Sequence, residues 1–164
     1  MRRARAAAAA ALALALSGCA SLRWEIQKAL REEGLRNLAF PEAVFEEYAC
    51  ANAKLPLLQV EHSELIPPRL RSGSDFTHRL VYAMCPERPT GVVPGELVIR
   101  ILHKGRAIHV ERESPYELRP GRWQVDTFVV LPRDAEPGVY AYELSFRSAP
   151  LRFLRRDSFL VLAR

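Results

Sequence analysis

The side chains in this chain that could do chemistry are four histidines, three cysteines, scattered carboxylates and a cluster of arginines near the C-terminus. Gly73-Ser74-Asp75 followed by His78 holds the residue types of a nucleophilic hydrolase. Such a nucleophile must sit on a sharp turn with a base in reach, and no Gly-x-Ser-x-Gly occurs, so the run reads as a polar loop leading into a strand. The eight glycines are scattered at turns, which leaves no phosphate-cradling loop and implies no cofactor. Glu46-Glu47 and Glu61 to Glu64, with His62 among them, read as solvated faces, the usual setting of adjacent acids. No catalytic residue is expected.

The arginines are more suggestive. Arg147, Arg152, Arg155 and Arg156 lie within ten residues, with no acid until Asp157. Guanidinium groups at that density suit phosphate or carboxylate, so this stretch is the candidate contact for an anionic partner, carried on the tip of the last hairpin. The charge of the whole chain does not extend this to nucleic acid. Lys plus Arg number 24 against 19 Asp plus Glu, but Arg2, Arg3 and Arg5 fall in the first 18 residues, and without them the balance is 21 against 19. A nucleic-acid binder would carry a basic stripe of its own.

The N-terminal arginines precede an apolar run, Ala6 to Leu16, and then Ser17, Gly18 and Cys19. A positive start, a short apolar core and small residues before a cut are the pattern of an export signal. Eleven helical residues rise only about 16 Å, too little to cross a hydrocarbon core of roughly 30 Å. Leu16-Ser17-Gly18-Cys19 closely resembles the lipobox of bacterial lipoproteins. The resemblance implies that residues 1–18 are a signal peptide, that Cys19 is acylated, and that the membrane is a partner through that lipid. Ala20, where an Asp would resemble an inner-membrane retention signal, implies passage to the outer membrane, facing the periplasm.

With Cys19 assigned to the lipid, Cys50 and Cys85 remain as an even pair in a compartment that permits disulfides, and a bridge is expected. Residues 19–54 read as a lipid-anchored linker with short helices. Leu22, Ile26 and Leu30 recur at helical spacing up to Gly34, and a second helix is expected from Pro41 through Val44, Phe45 and Tyr48.

Residues 55–164 must be built from strands, because the periodicity changes to two and Pro or Gly interrupts it every 8 to 15 residues. Strands are expected near 57–62, 76–85, 95–103, 107–112, 122–131, 138–147 and 157–163. At Lys104-Gly105-Arg106, a two-residue loop containing Gly105 would place Ile99, Ile101, Ile108 and Val110 on one face. The same parity would put His103 and His109 on opposite faces, and adding His62 and His78 recovers no ligand spacing, so no metal site is expected. Gly138-Val139-Tyr140 leading into Tyr142, Leu144 and Phe146 resembles the tyrosine corner of immunoglobulin-like and fibronectin-like domains. Ile66-Pro67-Pro68 through Gly73, followed by Phe76 to Cys85, resembles the opening of bacterial envelope Ig-like modules. Trp123 falls in the fifth expected strand rather than the third, and Tyr142 stands where an antibody domain has its second cysteine.

The expected fold is therefore mainly β: an Ig-like antiparallel β-sandwich of about seven strands preceded by a short helical N-terminal segment. The expected function is that of a non-catalytic binding or accessory subunit with an envelope protein partner. A small envelope hydrolase or carbohydrate-active module is the competing reading.

Overall fold

The computed structural model describes residues 34–88 and 91–163. They form two stacked sheets, a β-sandwich. The first holds β1 (Gly34–Ala39), β7 (Gly121–Val130), β4 (Asp75–Cys85) and β2 (Leu57–Ile66), in that spatial order. The second holds β3 (Arg69–Arg71), β9 (Arg152–Leu162), β8 (Gly138–Arg147), β5 (Val93–His103) and β6 (Arg106–Leu118). Every pairing is antiparallel except β3 with β9.

Alternation along the two central strands builds the core. Phe76, Leu80, Tyr82 and Met84 of β4 face Tyr140, Tyr142, Leu144 and Phe146 of β8, all at most 4% exposed. Phe76 meets Tyr142 edge-on at 6.0 Å and Phe159 at 4.9 Å. Burying each such side chain contributes roughly 1.5–3 kcal/mol. The tyrosine corner is present: the Tyr140 hydroxyl donates to the Glu136 carbonyl at 2.8 Å, closing the loop that leads into β8.

Two strands lie where none was expected. Gly34–Ala39 pairs with β7, so these residues, expected within the linker and at the end of its first helix, belong to the sandwich. They are anchored by the Arg36 guanidinium donating to Gln124 at 2.7 Å. Arg69–Arg71, outside the expected strands, lies beside β9 with only Leu70 turned inward. The rest of the first expected helix, the signal segment and Cys19 fall outside the described residues.

The β5–β6 hairpin has its two-residue loop, Lys104-Gly105, with φ of 49° and 77°, the left-handed pair that a tight hairpin turn demands. The inferred shared face is wrong, however. Leu102 pairs with Ala107, but Ile101 pairs with His109, because a β-bulge inserts Ile108. That extra residue reverses the parity of β6. Ile99 and Ile101 are buried while Ile108 and Val110 are 50% and 40% exposed on the outer side. His109 comes to the same face as His103, not the opposite one. β6 is an edge strand, and its inward positions Glu111 and Glu113, with Pro115 beyond, are charges and a missing donor that discourage edge pairing.

α1 (Pro41–Glu47) starts at the expected proline and buries Val44 against Cys50, Ala83 and Cys85. The Cys50–Cys85 disulfide, with Cα atoms 6.3 Å apart, ties the 3-10 turn Cys50–Asn52 to the end of β4. Tyr48 donates to Glu61, and Arg122 of β7 reaches both Glu47 and Glu61 at 2.7 Å. The carboxylates read as solvated faces thus clamp the helix to the first sheet. Among the described residues no helix is long and apolar enough to cross a membrane.

Candidate functional site

Strand alternation sorts the expected arginines. Arg147 ends β8 and Arg152 opens β9, directly opposite each other. On the outer face of this second sheet, Glu96, Arg147 and Arg152 form one row across β5, β8 and β9. Arg112, Val98, Ser145 and Leu154 form the next, reaching β6, and Val110, Arg100, Glu143 and Arg156 the one after. Arg155 leaves the group: it falls on the opposite face of β9, and its guanidinium donates to the Val60 carbonyl of β2 at 3.3 Å. In its place the sheet brings in Arg100 and Arg112, from strands about fifty residues away in sequence. Nothing local in the sequence marks those two. Only the register of β5 against β8 puts them beside the C-terminal cluster.

These three rows therefore hold five arginines and two glutamates. Glu143 is 5% exposed, and Arg156 and Arg100 both bond it, Arg156 Nη2 at 2.5 Å and Arg100 Nη1 at 3.0 Å. The Arg156 bonds, assisted by Arg100, hold its carboxyl below the usual range against the effect of burial. Arg112, Arg147 and Arg152 have no carboxylate partner among the described residues, and they line a depression of about 570 Å³ together with Arg100, Ser145 and the exposed Leu154. Like charges directly opposite on neighbouring strands destabilise a sheet. Arg147 also faces Glu96 on its other side, and a guanidinium pair in this arrangement can hold one external anion through paired N–H bonds.

The serine and histidine chemistry resolves differently. Asp75 and His78 point to opposite sides of β4, so Ser74, Asp75 and His78 make no constellation. Instead His78 meets Ser63 of β2 and Asp157 of β9, a grouping whose 94-residue separation no local pattern reveals. Ser63 Oγ lies 3.0 Å from His78 Nε2 and donates to Asp157 Oδ2 at 2.5 Å. The carboxylate and the hydroxyl crowd the same ring nitrogen, with Asp157 3.7 Å from it. In a catalytic triad the acid holds the other nitrogen and the base takes the serine proton. The His78 ring is 1% exposed and lies tilted against Tyr142, with ring centres 4.4 Å apart. Burial pushes it down to about 4, against the pull of Asp157 and Asp126. This is a neutral polar plug in the core.

The other histidines are dispersed. His62 lies against Glu64, His109 against Glu111, and His103 is stacked on Tyr140 at 4.1 Å. Among the described residues no three His, Cys, Asp or Glu are grouped to hold a metal ion.

No protein-family model matches the sequence, and no curated protein matches it. Among solved structures the chain is similar to the sporulation control protein Spo0M of Bacillus subtilis, with 13% identity and a TM-score of 0.48 over 65% of this chain and 50% of that one. It is similar also to part of a family 123 glycoside hydrolase from Clostridium perfringens, at 14% identity and a TM-score of 0.43, covering 57% of this chain and 22% of the hydrolase. A third is the alkylpurine DNA glycosylase AlkC of Pseudomonas fluorescens, at 13% and 0.46, covering 65% and 30%. The chain spans half or less of the length of each of these proteins.

Proposed function

We propose that the chain is an exported lipoprotein, anchored to the outer membrane through acylated Cys19 and facing the periplasm. There it works without catalysis as a binding or accessory subunit of an envelope complex. The anchor half of this reading is supported by the basic start, the short apolar core and Leu16-Ser17-Gly18-Cys19. More than one acyl chain is needed for stable anchoring, since each buried CH₂ adds about 0.8 kcal/mol and a single chain binds only marginally. The observation that carries the binding half is three adjoining rows on the outer face of the second sheet, where five arginines meet two glutamates and three of the five lack a carboxylate partner among the described residues.

The Ser63–His78–Asp157 cluster, whose imidazole is buried and whose hydroxyl and carboxylate share one ring nitrogen, does not favour the hydrolase reading. The test of the anchor is intact mass and fractionation of the protein from its own membranes. The expected mature chain begins at Cys19 and carries acyl mass, and Cys19→Ala moves it out of the membrane fraction. A full-length, unlipidated chain in the wild type would remove the anchor.

A further inference from the structure

We propose that the depression on the outer face of the second sheet is a binding site for a phosphate monoester on a sugar, presented by a membrane glycolipid. This rests on the binding role proposed above and gives that same face a ligand. Four features point to it. Arg147 and Arg152 are register partners, so their Cβ atoms are about 5 Å apart and both guanidinium groups reach one compact anion. Arg112 approaches from β6 on the next row, again with no carboxylate partner among the described residues. Counting Arg100, which is engaged with Glu143, four arginines line the depression against two carboxylates, Glu96 and Glu143. The excess is concentrated around about 570 Å³, which suits a multiply charged phosphate better than the spaced single charges of an acidic peptide. The floor beside the arginines is Val98, Ser145 and Leu154, the last 59% exposed. The Ser145 hydroxyl donates to the Val98 carbonyl at 3.4 Å and is left to accept one hydrogen bond from a sugar hydroxyl between two apolar side chains, and Leu154 gives the lipid side of the headgroup a contact that free phosphate would not use.

The phosphate sits where Arg147, Arg152 and Arg112 converge, and the sugar lies over Ser145 and Leu154. Glu96, at the end of the Arg147 row, sets one limit of the site and repels a second anion there.

The test is titration of the detergent-solubilised full chain with inorganic phosphate, glucosamine 1-phosphate, lipid A in mixed micelles and a poly-glutamate peptide, each at low and high salt. The wild type is expected to bind lipid A most tightly, the sugar phosphate more weakly and inorganic phosphate weakest, all weakened by salt. Arg112→Glu/Arg147→Glu/Arg152→Glu should lose about tenfold or more in affinity for the first two, and Leu154→Ser should weaken lipid A alone. Arg155→Glu, on the other face, should bind as the wild type does. Equal binding by the triple variant would overturn the proposal, as would a preference for poly-glutamate. Lipid A no tighter than the soluble sugar phosphate would overturn the membrane source. If no phosphate probe binds while a crosslinked envelope neighbour is still lost on charge reversal, the ligand is wrong and the binding role stands.

Discussion

His78 shows how a residue type suited to catalysis is used for packing. Its imidazole is neutral because burial pushes it down to about 4, below the ordinary 6.5 of the unfolded chain. As pH falls through this window the unfolded state takes up a proton that the folded state refuses, so stability is lost between about pH 6.5 and 4. The full loss is about 3 kcal/mol. Denaturant unfolding at pH 7, 5 and 4 should show this slope in the wild type and a shallower one in His78→Gln, since the other titrating groups are common to both. Parallel pH profiles would show that His78 is not the group responsible. Glu143 illustrates the converse, a buried carboxylate kept charged because Arg156 and Arg100 both bond it.

At the scale of elements, the helical segment holds to the sandwich through one covalent and one ionic clamp. Cys50→Ser/Cys85→Ser should cost about 3–4 kcal/mol, from reopening a loop of 35-residue separation. Amide exchange should then quicken first in α1 and the 3-10 turn, and uniform loss of protection would contradict this. Gly121 opens β7 at φ 95° with the Ala39 carbonyl 2.6 Å from where a Cβ would stand. Gly121→Ala should therefore destabilise by about 2–3 kcal/mol and loosen β1 from its edge, read as faster exchange at residues 34–39. Much of this scale was legible in the sequence. The strong alternation of Phe76 to Met84 and of Tyr140 to Phe146, the proline at 41 and the cysteine pair each found their element. β1 was missed because an edge strand with one mostly exposed side carries no clean alternation, its burial being exposed throughout until Ala39. The Ile108 bulge was missed because it conserves the turn chemistry at Lys104-Gly105 and reverses the parity only beyond it. The arginine site was half legible: Arg147, Arg152 and Arg156 share a face, whereas Arg155 cannot, since it neighbours Arg156 on one strand. Arg100 and Arg112 join only through cross-strand register.

At the scale of the whole sandwich, two packed sheets carry one chemically distinct outer face. The sandwich has a core rich in aromatic side chains, among them Phe76, Tyr82, Tyr140, Tyr142, Phe146 and Phe159. Its long edge β6 carries inward charges against self-association. The remaining outer surface of β5, β8 and β9 is left to make contacts, and a tether at Cys19 would hold that surface near the membrane. Electrostatic recognition of this kind is screened, so partner capture should fall steeply between low and physiological salt. The most direct test is crosslinking of the protein in its native membranes, with the wild type and Arg112→Glu/Arg147→Glu/Arg152→Glu compared side by side. The expected result is one recurring envelope neighbour joined to the lipidated wild type and absent from the reversed variant at equal abundance. The same neighbours in both, or none in either, would contradict a tethered binding subunit that works through this arginine face.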